Sequence, residues 1–224
     1  MRAFVVCLVL AAAHEAHAGA CGGFLSVKAA GPELARDGLV LLDTLEVDVV
    51  TPVLDKATFV TADGTALPAK VVKRAGSEYH LQVLFAPQHS LPAKTTVHLA
   101  FGLKELDKDL AERTLTTSDA SMTDVHWAKA PRALRRYQES SNKGDSYDAY
   151  RVKLALDAPT FVVAEMTYAN KTSASEIYVG AGEILVGTTG CHTILVGNTG
   201  VVTFTAIGSN GEVAAPGKPL KLRY

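Results

Sequence analysis

The sequence predicts an all-β protein built as two small sandwich modules in tandem, and three observations carry that prediction. Val, Ile, Thr, Phe and Tyr gather in short runs; Gly, Pro, Asn and Asp separate those runs; and a polar stretch near mid-chain lacks any periodic apolar face. A hydrophobic content of 48% against 20% charged residues is a globular balance, sufficient to bury a core.

The elements follow in order. Gly38-Leu39-Val40-Leu41-Leu42 reads as a buried strand leading into Leu45-Glu46-Val47-Asp48-Val49, which alternates cleanly. Tyr79 to Phe85 alternates as well, with Tyr79, Leu81, Val83 and Phe85 on one side and His80 on the other. Thr96 to Phe101 follows after a Pro-containing loop, and the two strands are expected to form a hairpin around Pro87 to Pro92. Tyr150–Leu156, Phe161–Tyr168 and Val201–Ile207 supply later strands. Asp63-Gly64 and Asn210-Gly211 are hairpin signals of the kind that type I′ turns use, with positive φ at both positions. Leu103–Leu110 and Ala130–Tyr137 are the two segments with helical potential. The polar stretch TTSDASMTDVH, residues 116 to 126, places the boundary, giving modules at 19–117 and 124–224. Trp127, the single tryptophan, stands at the base of the second.

The N-terminus reads as an export signal over residues 1–18. Arg2 precedes the apolar run FVVCLVLAAA, which is too short to span a bilayer and has the length of a signal h-region. Ala16-His17-Ala18 supplies small residues for cleavage before Gly19. Two rival readings stand beside it: Ala18-Gly19-Ala20-Cys21 resembles a lipobox, which would acylate Cys21, and cleavage before His14 or His17 would expose a histidine able to chelate copper. The expectation is an exported chain, periplasmic or extracellular, with no integral membrane segment after signal removal. Cys7 leaves with the signal, so Cys21 and Cys191 remain as an expected disulfide, and closing so long a loop is worth roughly 5 kcal/mol in the chain-entropy picture.

Charge narrows the partners. The net charge is −1, so no basic excess neutralises phosphates, and nucleic acid is not an expected partner. The one basic cluster, Lys129, Arg132, Arg135 and Arg136, is followed by Glu139, Asp145 and Asp148 and reads as a solvated strand face, with an anionic-partner site as the alternative.

Three stretches carry a family resemblance. Pro32 to Leu41 resembles the entry to bacterial immunoglobulin-like domains, Phe59 to Pro68 resembles their central strand-turn-strand, and Val202 to Pro216 is similar to the last hairpin of fibronectin type III-like modules. The resemblance implies tandem immunoglobulin-like sandwiches of an exported bacterial protein, a fold that hosts many unrelated sites. It also brings in periplasmic copper-binding proteins of that fold as the alternative function.

Catalytic patterns are lacking. There is no G-x-S-x-G elbow and no H-E-x-x-H; Ser140-Ser141-Asn142-Lys143 matches S-x-x-K by letters alone, in a polar turn without a partner strand. Ile184–Gly190 and Ile194–Gly200 are near-duplicates that read as two strands ending in Gly-polar-polar-Gly turns. Glu105, Asp107, Asp109 and Glu112 lack the glycine of a calcium loop. No metal site is expected; His80 and His98, as outward neighbours across a hairpin, are the weak alternative. The sequence therefore leads to a non-enzymatic binding or structural module of the cell envelope or extracellular space, without cofactor, contacting a protein or a cell-surface polymer.

Overall fold

The structure is a computed structural model that describes residues 24–77, 79–140, 146–168, 170–189, 192–193 and 200–223. Residues 1–23, expected to hold the export signal and Cys21, together with Cys191 and most of the second Gly-bounded repeat, lie outside the described residues.

The chain is mostly β, and every ladder between its strands is antiparallel. The first half carries β1 (Leu25–Ala29), β2 (Val40–Thr44), β3 (Thr58–Thr61), β4 (Ala66–Gly76), β5 (Leu81–Pro87), β6 (Thr96–Ala100) and β7 (Leu115–Thr116). Two helices interrupt it, α1 (Val47–Val50), which runs into a 3-10 turn over Thr51–Lys56, and α2 (Lys104–Ala111). The second half carries β8 (Trp127–Ser140), β9 (Ser146–Leu156), β10 (Thr160–Tyr168), β11 (Ser173–Gly180), β12 (Glu183–Thr189), β13 (His192–Thr193), β14 (Gly200–Gly208), β15 (Gly211–Ala214) and β16 (Leu220–Leu222). One sheet runs in the order β1-β2-β5-β4-β11-β10-β14-β15 across both halves; β16 joins it at β14, and β3, β6 and β7 branch from β4. The other sheet has the order β13-β12-β9-β8.

Strand alternation sorts the apolar side chains into three cores. Val40 and Leu42 of β2 with Val83 and Phe85 of β5 meet Phe59 of β3, Val97 and Leu99 of β6 and Leu106 and Leu110 of α2. Phe85 packs edge-on against Phe101, with ring centroids 5.7 Å apart. In the second half, Val162, Ala164 and Met166 of β10 and Val202, Phe204 and Ala206 of β14 face Val152, Leu154 and Leu156 of β9 and Ile184 and Val186 of β12. The third core joins the halves: Leu39, Leu41 and Leu84 from the first pack with Phe161, Val163, Ile177 and Ile207 from the second. As a result β2 and β5 are buried on both faces along their whole length.

Four local expectations change. Leu45–Val49 is not a strand, because helical spacing puts Val47 and Val50 on the first core together with Val53 and Leu54, while Val49 is exposed. Ala130–Tyr137 belongs to β8 rather than to a helix; Pro131 sits at a bulge of this edge strand, where a missing N–H costs no ladder bond. The two Gly turns carry positive φ at Gly64 and Gly211 alone, not at Asp63 or Asn210, so neither is type I′. β5 and β6 do not form a hairpin: β5 pairs with β2 and β4, and β6 with β3 and β7.

The mid-chain segment is stitched to both halves. Leu34 donates to the Thr116 carbonyl and Ser118 to that of Leu34, each at 2.9 Å, and Ser209 donates to the Thr123 carbonyl at 3.2 Å. Buried Thr117 donates to the Pro92 carbonyl at 2.6 Å. Trp127 packs against the second core and donates from its indole to the Val213 carbonyl at 2.9 Å.

Phe85 has no exposed surface, so Phe85→Ala is expected to cost about 3–5 kcal/mol in denaturant unfolding. A loss below about 1 kcal/mol would contradict the packing described.

Candidate functional site

The polar residues that alternation aims away from the first core do not reach solvent. Asp43 on β2, His80 just before β5 and Gln82 on β5 share the face that carries Leu41 and Leu84, and this face lies against the second half. All three are buried, with 3–6% of their surface exposed. His80 Nε2 lies 2.6 Å from Asp43 Oδ1, and Gln82 donates from Nε2 to Asp43 Oδ2 at 3.2 Å.

Gln82 also continues a sheet. β11 meets β4 in a single pair, Ser175 opposite Gly76, where β4 ends. Two residues further along β11, Ile177 presents its backbone to the same side. The Gln82 side chain takes the place of the missing strand: Ile177 N–H donates to Oε1 at 2.7 Å, and Nε2 donates to the Ile177 carbonyl at 3.1 Å. Gly76 permits the turn that brings His80 and Gln82 into place. Its φ is +112°, and a Cβ there would lie 2.0 Å from the His80 carbonyl oxygen.

Glu176, next along β11, is buried and accepts from the Tyr178 hydroxyl at 2.6 Å. Burial pushes its carboxyl up to about 7, and the charge of Asp43 adds to the rise, against opposing pulls from the Tyr178 hydrogen bond and from His80. At the rim of the seam, Lys73 on β4 reaches Glu165 of β10 at 3.6 Å and Glu212 of β15 at 3.2 Å. Both oxygens of Asp43 are engaged, one by His80 and one by Gln82, and of these side chains Gln82 is the one whose hydrogen bonds reach the other half. A cleft of about 260 Å³ opens along the same junction, lined by Leu34, Leu39, Met122, Val125, Phe161 and Ile207 among others.

The residues singled out in the sequence fall in different places. His80 is bound to Asp43 inside the seam, whereas His98 lies on β6 opposite Val60 of β3; β5, which follows His80, does not pair with β6, so the two histidines are not neighbours across a hairpin. No group of three or more His, Cys, Asp and Glu side chains suited to a metal occurs among the described residues. Asp107 accepts the Phe101 backbone N–H at 2.7 Å, a fold-supporting role for that acidic segment. The basic cluster is on β8, where Arg132 stands opposite Lys153 and Arg135 opposite Arg151 of β9. Asp43 and Gln82 carry a sequence signal, a lone polar residue in an apolar strand, which here means burial on both faces, whereas Glu176 in the mixed strand Ser173–Gly180 carries none.

No protein-family model matches the chain, and no curated protein matches it. Among solved structures it is similar to a type I pullulanase from Bacillus subtilis in complex with maltose, at 11% identity and a TM-score of 0.26, over 86% of this chain and 25% of that one. It is also similar to a pullulanase from Anoxybacillus in complex with maltotriose, at 6% identity and a TM-score of 0.24, over 82% of this chain and 25% of that one. The chain spans about a quarter of the length of these structures, and likeness at this level carries no argument about activity.

Two expectations follow. Replacing Gln82 with Met leaves both backbone groups of Ile177 and Asp43 Oδ2 without this partner, so stability should fall by at least ~2 kcal/mol, and hydrogen exchange at the Ile177 amide should accelerate. Glu176 sets a pH slope. An unfolded glutamate titrates near 4.5 and the folded one near 7, so between these values the folded chain holds a proton that the unfolded chain has lost. Stability should therefore fall as pH rises through that window, by on the order of 3 kcal/mol, and level off above it. Chemical denaturation from pH 4 to 8 measures the slope, and Glu176→Gln should flatten it.

Proposed function

We propose that the protein is an exported, non-enzymatic binding or structural module of immunoglobulin-like type, placed in the cell envelope or extracellular space, where it contacts a protein or a surface polymer. The observation that supports this most directly is the fate of its buried ionisable groups. Asp43 is engaged by His80 and Gln82, Gln82 in turn bonds the backbone of Ile177 across the seam, and Glu176 is engaged by Tyr178 of its own strand, so these buried groups support the fold and the junction. Halves joined in this way keep the orientation of their outer faces, as a surface that recognises a partner requires. The apolar run Phe4–Ala13 with Ala16-His17-Ala18 supports export.

The test is expression with the native N-terminus, followed by mass measurement of the mature protein and co-sedimentation with purified envelope. A start at Gly19 and association that persists in a cooperatively folded His80→Gln variant are the expected results. Retention of the uncleaved chain in the cytoplasm would remove the export reading. Loss of association in folded His80→Gln would make the seam itself the working site.

A further inference from the structure

We propose that the outer face of β8 and β9 is a binding site for a linear anionic polysaccharide lying along the strands; this deepens the binding reading above and rests on it. Alternation sends Val152, Leu154 and Leu156 of β9 into the second core and leaves Arg151, Lys153 and Ala155 on the opposite face. The β8 residues paired with that face are Lys129 opposite Ala155, Arg132 opposite Lys153 and Arg135 opposite Arg151. Lys129, Arg132, Arg135 and Lys153 are exposed, and Arg151 is half-buried. Five cations thus share one face, in a chain whose net charge is −1.

The arrangement works against the fold. Like charges directly opposite one another in an antiparallel pair destabilise it, and here two such pairs follow in succession. Relief is partial: Glu183 of β12, opposite Lys153, also meets Arg151 Nη1 at 3.3 Å. Cations on β8 alone would be accounted for by protection of an edge strand. Arg151 and Lys153 are on β9, an interior strand with no edge to protect, so edge protection does not explain the pairs.

The ligand class follows from shape and charge. The cations form a strip along a sheet face, bulged at Pro131 and bordered by small Ala130 and Ala155, rather than lining a cavity. Along β9, charges two residues apart repeat at about 7 Å, a spacing that suits an extended chain with one anionic group per repeat. Arginine forks bind carboxylate, sulfate and phosphate groups in bidentate fashion. The overall acidic balance disfavours nucleic acid, which is bound by proteins with a net basic surface.

The experiment measures binding of the folded chain to dextran sulfate, to uncharged dextran of equal length and to single-stranded oligothymidine at matched charge, over a salt series. The expected result is salt-sensitive binding to dextran sulfate, none to dextran, and weaker binding to the oligonucleotide. Arg132→Gln with Arg135→Gln should weaken dextran sulfate binding at least tenfold and lower its salt dependence, whereas Lys104→Gln with Lys108→Gln on α2 should leave it unchanged. Because the pairs repel, the arginine variant should melt at the same temperature as the parent or higher. Unchanged binding in that variant, a lowered melting temperature, or tighter binding of the oligonucleotide would overturn the proposal. Envelope association that survives the arginine variant would overturn it while leaving the broader binding reading intact.

Discussion

Much of this structure depends on one side-chain amide acting as a peptide group. Gln82 both accepts from and donates to the backbone of Ile177, at the point where β4 has ended and β11 would otherwise present an open edge inside the protein. An unpaired buried N–H or C=O costs as much as a lost hydrogen bond, so an unpaired Ile177 would oppose closure of the two halves. With Gln82 in place the main sheet turns from the first half into the second through a single backbone pair, and apolar packing can complete the junction. The second donor of the same amide goes to Asp43, whose other oxygen faces His80, so the three groups hold one another in a single arrangement.

Burial on both faces of β2 and β5 follows from that closure, and it decides how the molecule can move. Beads on a flexible linker would keep separate cores; here Leu41 and Leu84 are as much a part of the junction as Phe161 and Ile207. An apolar junction backed by buried hydrogen bonds does not open as readily as the polar interfaces typical between domains. Lys73 closes the rim against Glu165 and Glu212, but at these exposures its share of the stability is small. The backbone ties of residues 116–123 add to the effect, since a polar segment becomes ordered once its amides find fixed carbonyls.

Electrostatics divides the molecule into two regimes. In the seam, Asp43 is held by His80 and Gln82, while Glu176, buried beside the Tyr178 hydroxyl, retains its proton well beyond the normal carboxyl range because burial penalises its charge. On the outer face of β8 and β9, solvent screens the charges, and the opposed arginine and lysine pairs persist at a modest cost to the ladder. The hydrogen bonds around Asp43 and Gln82 support the fold; the buried Glu176 weakens it as pH rises, and the opposed surface cations work against it.

The sequence by itself determined the strand content, because period-2 alternation of β-branched and aromatic residues is a local property that any buried sheet must obey. It also determined which side chains fill the first two cores, as Val83, Phe85 and Phe204 illustrate. It misdirected at Leu45–Val49, where alternation and helical spacing coincide over a few residues and packing against Leu54 decides between them. Only the tertiary structure decided what the second face of β5 meets. His80 and Gln82 occupy the polar positions of an alternating strand, which in a single sheet would point to water. Here that face is covered by Ile177 and its neighbours from nearly a hundred residues away, and no local pattern encodes an encounter at that separation.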